Sequence, residues 1–159
     1  MTSNLICGSW EESAKIHLTD VWKYSSVRPI GEESNTVIRE HLDYMIDSYF
    51  NKDAFPFPSE WRMMGGLAIH ASGELDKIDT WSTLCDKQRD YGPNNIARFG
   101  QSGLLLRLHD KVARLENLVS NGKDAKNESL HDTYLDIVGY SVIGLMLLDN
   151  TFFSPLMAN

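Results

Sequence analysis

The chain has 159 residues, 42% of them hydrophobic, and its 22 acidic against 15 basic residues give a formal net charge of −7. This length suits one domain with a substantial core, and the acidic balance argues against binding to nucleic-acid polymers through bulk electrostatics. The two cysteines are far apart and lack metal-ligand spacing, and the first residues do not form a basic stretch followed by an apolar one. The longest apolar run is far below the roughly 18 residues of a membrane span. We therefore predict a cytoplasmic protein that does not enter membranes.

The first half of the chain contains two predicted helices. Residues 1–33 mix charges, serines and a proline without a sustained period, so we predict an irregular N-terminal extension there. From Asn35, "NTVIREHLDYMIDSYF" places apolar side chains at helical spacing and predicts the first helix. The prolines of "NKDAFPFPSE" indicate a loop, after which Ser59 caps a second helix, "EWRMMGGLAIHASGELDKI".

Three further helices are predicted in the second half. The third begins at Asp79 or Thr80 and runs to about Tyr91, where Gly92 and Pro93 end it. The fourth is "SGLLLRLHDKVARLENLVSNG", and the fifth begins near residue 127 or 129 and continues through "LDIVGYSVIGLMLLD". No stretch alternates apolar and polar residues as a half-buried strand does, so we predict an all-α bundle of about five helices over residues 34–159.

The fifth predicted helix carries three carboxylates at four-residue spacing, which places Glu128, Asp132 and Asp136 along one stripe. Glu128 and Asp132 also suit the first turns of a helix, where acids complement the dipole, and Ser129 with Asp132 resembles a capping box. Asp136 precedes an apolar run and is expected to enter the core side of the bundle. There it needs either a basic partner from a neighbouring helix or a bound metal.

The fourth predicted helix places Arg107, Asp110, Lys111 and Arg114 on a face beside its apolar stripe. This pattern is typical either of a salt-bridged surface or of the wall of a crevice between helices. Antiparallel packing would bring this face against the acidic stripe of the fifth helix. Carboxylates at such spacing can hold Mg²⁺, while arginine and lysine neutralise phosphate oxygens.

The stretch "DKQRDYGPNN", residues 86–95, joins the end of the third predicted helix to the turn after it. Lys87 and Arg89 suit the negative end of a helix, so helix termination alone explains part of the pattern. Tyr91 can stack on a base, and the amide of Asn94 can hydrogen-bond its edge. The alternative interpretation is therefore the first wall of a phosphate-binding crevice.

The three blocks "CDKQRDYGPNN", "GLLLRLHDKVARLENLV" and "ESLHDTYLDIVGYSVIGLMLL" resemble the phage and bacterial family called nucleotide modification associated domain, type one. That family has a helix ending in Lys-x-x-Asp-Tyr-Gly, then Arg-x-x-Asp-Lys-x-x-Arg-Leu, then Glu-Ser-x-x-Asp-x-x-x-Asp. The resemblance covers about residues 81–148. The matching positions are Lys87, Asp90, Tyr91, Gly92, Arg107, Asp110, Lys111, Arg114, Leu115, Glu128, Ser129, Asp132 and Asp136.

The family is similar to the all-α NTP pyrophosphatases, the MazG-like and dimeric dUTPase group, which cleave nucleoside triphosphates with Mg²⁺ in sites often completed across a dimer. The resemblance implies a Mg²⁺-dependent nucleotide pyrophosphohydrolase of phage nucleotide metabolism, acting in the host cytoplasm as a homo-oligomer on a nucleotide ligand. It implies catalytic roles for Asp132 and Asp136. The other implied roles are metal binding by Asp110, Glu128, Asp132 and Asp136, phosphate binding by Lys87, Arg107, Lys111 and Arg114, and base or sugar contacts by Tyr91 and Asn94.

The sequence departs from those pyrophosphatases, because its carboxylates on the fifth helix are four residues apart where the relatives have three. Either the metal site is rearranged, with Glu74 as a further ligand, or catalysis has been lost. Two alternatives therefore stay open. One is a non-catalytic protein that sequesters a signalling nucleotide in phage anti-defence, and the other is a structural interaction protein whose charges form interhelical salt bridges.

Overall fold

The computed structural model describes residues 8–26, 33–121 and 130–157. Within these ranges the chain contains no strand, which confirms the all-α prediction, but the count of about five helices is wrong. Two short 3₁₀ turns follow α1 and α7, and none of the described helices is long and apolar enough to cross a membrane. The seven helices are α1 (Trp10–Lys23), α2 (Ser34–Lys52), α3 (Pro58–Ser72), α4 (Lys77–Tyr91), α5 (Asn94–Ala97), α6 (Gly100–Asn121) and α7 (Leu130–Leu148).

Helix α1 lies where an irregular extension was predicted, so that prediction is wrong for Trp10–Lys23. Its apolar stripe repeats only once per turn, at Trp10, Ala14, Leu18 and Val21, and each of these residues is at most 1% exposed. Charged residues on the other faces dilute this pattern in the sequence. The side chain of Ser9 accepts a hydrogen bond from the backbone of the third helical residue and starts the helix.

The helix ends follow local capping chemistry. Glu33 accepts hydrogen bonds from the first turn of α2, and Asp76 accepts one from the backbone of Asp79 at the start of α4. Gly73, with φ of 69°, ends α3 before the predicted continuation, so Glu74 lies in a loop and not on a helix. Gly92, also with φ of 69°, ends α4 at the predicted place.

The packing of α3, α6 and α7 depends on a glycine of α7. Gly144 leaves room for the indole of Trp61, because a Cβ at this position would overlap the ring. The same indole Nε1 donates to Oε1 of Gln101 at 3.0 Å, and Nε2 of Gln101 donates to the carbonyl of Gly144 at 3.2 Å. A close contact and two buried hydrogen bonds therefore fix α7 against α3 and α6.

A buried carboxylate connects α1 to α4 and to the C-terminal residues. Glu11 is 1% exposed and accepts hydrogen bonds from Nη2 of Arg89 at 2.8 Å and from the backbone of Met157 at 3.0 Å. The indole of Trp81 donates to the backbone carbonyl of Glu11 at 2.8 Å. Arg89, although it belongs to the charged stretch at the end of α4, thus supports the scaffold by compensating a buried charge.

Candidate functional site

A pocket of about 390 Å³ lies between α4, α5, α6 and α7. Its volume is at the lower end of the roughly 300–1,000 Å³ that small-molecule sites occupy, so it suits a ligand of modest size. Charged, amide, aromatic and aliphatic side chains all contribute to the walls. The lining residues are Leu84, Lys87, Gln88, Tyr91, Gly92, Asn95, Ile96, Arg107, Lys111, Leu135, Asp136, Gly139, Tyr140 and Ile143.

Two lysines and one aspartate form an ion-paired cluster in the pocket wall. Lys87 Nζ lies 2.6 Å from Oδ1 of Asp136, and Lys111 Nζ lies 2.9 Å from Oδ2. The Asp136 side chain is 13% exposed, as expected for a residue on the core side of the bundle. The sequence analysis expected this carboxylate to have a basic partner or a bound metal, and the structure gives it two basic partners from neighbouring helices. The carboxylate in turn allows two ammonium groups from different helices to lie close together.

Arg107 adds a third cation to the pocket, one helical turn before Lys111 on α6. Its guanidinium has no hydrogen bond or ion pair within the described part of the chain. Three cationic side chains therefore line the pocket against one carboxylate, on a chain whose formal net charge is −7. This local excess of positive charge is suited to an anionic ligand.

The uncharged part of the lining combines hydrogen-bonding and ring-packing groups. Tyr91 lies at the rim, since it is 68% exposed, whereas Gln88 is only 7% exposed. Asn95, and not the predicted Asn94, lines the pocket, and its Oδ1 accepts a hydrogen bond from the backbone of Ile96 at 2.9 Å. The sequence pattern did not indicate Gln88 as a pocket residue. The packing of α7 against α4 determines which side chains of α4 are buried, and the sequence pattern does not give that packing.

Several predicted site residues lie away from the pocket. Asp110, Arg114 and Asp132 are exposed and do not line it, and Glu128 lies outside the described residues. Arg114 and Asp132 share a stripe with lining residues but are displaced along the helix axis, because each turn advances about 5.4 Å. Asp110 is rotated about 100° from the neighbouring Lys111. The pocket thus uses a short axial segment of each helix.

The predicted Mg²⁺ stays a prediction, because one of its predicted ligands, Glu128, lies outside the described residues. No group of three or more histidine, cysteine, aspartate or glutamate side chains suited to a metal occurs within residues 8–26, 33–121 and 130–157. The pocket has one carboxylate, and both oxygens of Asp136 contact lysines. Glu74, the suggested further ligand, is exposed in the loop after α3. Any magnesium chemistry that depends on Glu128 concerns a residue outside this part of the chain.

The cysteine of α4 is a poor nucleophile. Burial raises the pKa of the Cys85 thiol to about 11, and the negative charge of Glu11 acts in the same direction. The thiol is therefore protonated at neutral pH, and the thiolate is the form that reacts. Cys85 belongs to the core, where it is 4% exposed, and it is not among the pocket-lining residues.

The fold and the site together define an all-α protein with a small cationic pocket between its C-terminal helices. Residues 87–148 match the family model described as nucleotide modification associated domain 1, which confirms the predicted resemblance over that segment. The segment holds all the pocket-lining residues except Leu84. No curated protein and no solved structure matches the chain. The similarity to MazG-like enzymes and dimeric dUTPases stays a prediction.

Proposed function

We propose that the pocket binds a nucleoside phosphate. The observation that carries this proposal is the convergence of Lys87, Lys111 and Arg107 on one small pocket of an otherwise acidic chain. The match of the same segment to a nucleotide modification associated domain supports the choice of ligand class.

The chemistry of the three cations favours phosphate over a singly charged anion. Arg107 offers a planar guanidinium that can donate two parallel hydrogen bonds to phosphate oxygens. Because it has no partner among the described residues, this capacity is left for a ligand. Lys87 and Lys111 act as point charges beside it. The Asp136 carboxylate, held between the two ammonium groups, occupies a position that suits anionic oxygens.

The rest of the lining favours a ligand with a ring over inorganic phosphate. Tyr91 at the rim and Tyr140 on α7 provide aromatic surfaces, and Leu84, Ile96 and Ile143 provide aliphatic ones. A free phosphate ion would leave these apolar surfaces without a contact. A nucleoside phosphate places its charge by the cations and its base against the apolar and aromatic walls, as mixed pockets of this kind usually require.

Binding without metal held by the protein is the simplest form of this proposal. It agrees with the single carboxylate of the pocket and includes the sequestration of a signalling nucleotide. Pyrophosphohydrolase activity stays a prediction, and so does a homo-oligomer, which sedimentation or light scattering tests. If the chain is a Mg²⁺-dependent hydrolase, its metal is not held by a cluster of three or more carboxylates from the described residues.

Calorimetric titration with nucleoside mono-, di- and triphosphates, with Mg²⁺ and with a chelator, tests the proposal. We expect binding that persists in the chelator and that Lys111→Ala weakens at least tenfold, with Lys77→Ala as the control because Lys77 is exposed at the start of α4. Failure of the folded protein to bind any nucleotide would overturn it. Release of pyrophosphate that requires Mg²⁺ and disappears in Asp136→Asn would establish the hydrolase instead.

A further inference from the structure

We infer that Gln88 recognises the hydrogen-bonding edge of the ligand's base and is therefore a specificity-determining residue. This inference rests on the proposed function, because it concerns the part of a nucleoside phosphate that the cations do not contact. It also assigns a role to a residue that the charged motifs of the sequence did not indicate.

The first observation is that the amide of Gln88 has no partner among the described residues. Gln88 is 7% exposed and lines the pocket, and no hydrogen bond joins its side chain to any part of the chain that the structure describes. Buried primary amides are nearly always hydrogen-bonded, since leaving their donor and acceptor without partners costs free energy. A partner from outside the described residues is therefore expected, which is water in the empty pocket and a ligand when the pocket is filled.

The second observation is that this amide remains accessible. Four side-chain nitrogen or oxygen atoms among the described residues are fully enclosed and have no partner, and the Gln88 amide is not among them. Its small accessible surface belongs to a residue of the pocket wall. The enclosed atoms, by contrast, are not part of the pocket lining: Trp10 Nε1, His17 Nδ1, Arg62 Nε and Thr80 Oγ1.

The neighbours of Gln88 indicate what its partner is. Leu84, Gln88 and Tyr91 are spaced four and three residues apart, so they form one stripe of α4 that faces the pocket. An aliphatic and an aromatic side chain thus flank the amide, and both suit the face of a planar ring. A glutamine amide presents a donor and an acceptor side by side, which matches the edge of a nucleobase that has the complementary pair.

The position of Gln88 relative to the cations supports the same assignment. It follows Lys87 in the helix, so its side chain is rotated by about 100° from the ammonium group that contacts Asp136. Phosphate and base would therefore be bound by different sides of one helix, both within the same pocket. A ligand with only one of these two groups would leave either the cations or the amide without a partner.

Calorimetry on wild type and Gln88→Met, with nucleoside 5′-monophosphates and ribose 5-phosphate, tests the inference. Methionine keeps the length of the side chain and removes the amide. We expect the wild type to bind at least one nucleotide about tenfold or more tightly than ribose 5-phosphate, and Gln88→Met to lose that preference. The variant should keep its affinity for ribose 5-phosphate, whereas Lys111→Ala should weaken both ligands in parallel.

The outcomes separate the two proposals. Binding of neither ligand by folded wild type would overturn the proposed function. Equal loss of both ligands in Gln88→Met, or an unchanged preference, would overturn the role of Gln88 and leave the nucleotide pocket in place. If the variant does not fold, wild type is titrated with a preferred nucleotide and with the same nucleotide methylated on its hydrogen-bonding edge. An unchanged dissociation constant would then overturn the inference.

Discussion

Lys87 and Lys111, from α4 and α6, contact opposite oxygens of the same carboxylate, that of Asp136 on α7, at 2.6 and 2.9 Å. Asp136 is expected to have two opposing effects on the proposed anionic ligand. It stabilises the approach of the two ammonium groups, and it competes with the ligand for their hydrogen bonds. Which effect is larger can be measured.

Asp136→Asn is expected to tighten binding of a nucleoside monophosphate. The change removes a negative charge next to the proposed phosphate position and releases Lys87 from its ion pair with Asp136. One recovered charged hydrogen bond corresponds to about tenfold in the dissociation constant. Calorimetry measures the effect, with Asp79→Asn, an exposed aspartate of α4 outside the pocket, as the control for net charge. Weaker binding in Asp136→Asn would show that Asp136 is needed to position the lysines or to hold a metal.

Arg107→Ala is expected to weaken binding of phosphorylated ligands with little effect on stability. The guanidinium has no partner in the described residues, so its loss should change the free energy of unfolding by no more than about 0.5 kcal/mol. A lost charged hydrogen bond should raise the dissociation constant about tenfold or more. Arg98→Ala is the matched control, because Arg98 is an exposed arginine outside the pocket lining. Its guanidinium carbon lies 5.5 Å from the centre of the Phe99 ring. Equal effects of the two variants would contradict a direct phosphate contact.

Arg89→Ala is expected to destabilise the fold strongly. It leaves the carboxylate of Glu11, which is 1% exposed, with the backbone N–H of Met157 as its remaining partner among the described residues. Because the Arg89 side chain is itself 33% exposed, we expect a loss of about 2 kcal/mol, below the roughly 3–5 kcal/mol of a fully buried pair. Urea unfolding measures the loss. Adding Glu11→Gln should restore part of the stability, because it removes the uncompensated charge. A double variant less stable than Arg89→Ala alone would contradict this explanation.

Gly144→Ala is expected to lower stability by about 1–3 kcal/mol, because its Cβ would overlap the buried ring of Trp61. The cost exceeds the roughly 1 kcal/mol that alanine gains over glycine in a helix. Gly139→Ala on the same helix is the control for stability, since its Cβ would meet Leu84 at an ordinary 3.7 Å. Thermal unfolding of both variants should therefore give shifts of opposite sign. A stabilised Gly144→Ala would show that α3 can move away from α7.

Glu116 is expected to make stability depend on pH in the acid range. Arg39 on α2 donates two hydrogen bonds to this carboxylate, at 2.8 and 3.1 Å, and they lower the pKa of Glu116 from its ordinary 4.5 despite some desolvation. The stabilisation is present above pH 4.5 and is lost as the pH falls through the lowered pKa of the folded state.

Unfolding experiments at a series of acid pH values test this dependence. Glu116→Gln should be less stable than wild type above pH 4.5 and should approach it as the pH falls. Glu40→Gln, an exposed glutamate of α2, is the control and should follow wild type. A constant difference between Glu116→Gln and wild type at all pH values would contradict the predicted protonation effect.

The sequence predicted the long helices well because each carries an apolar stripe or a clear cap. Helix α1 was missed since its stripe has one residue per turn. The spacing of Ser9 and Glu12, which is that of a capping box, was a local signal for its start and was missed as well. The four-residue α5 is too short for a period to be visible, and its buried residue, Ile96, follows two asparagines that are typical of a turn.

The site was predicted in part, for a reason that lies in helix geometry. Helical spacing fixes which residues share a stripe, so the grouping of Lys111 with Arg107 and the burial of Asp136 were predictable. Spacing does not fix how far one helix is displaced along another. Asp132 and Arg114 therefore lie beyond the pocket, whereas Gln88 and Asn95 line it.

The close contact between Gly144 and Trp61 has a consequence for dissecting this protein. Residues 87–148 match a family model and contain nearly the whole pocket, yet the indole that packs on their last helix comes from α3, outside that segment. A fragment trimmed to the matched boundaries would expose the face of α7 that carries Gly144 to water. We therefore expect a fragment of residues 87–148 to be less stable than the full chain, so binding studies need α3 as well as the matched segment.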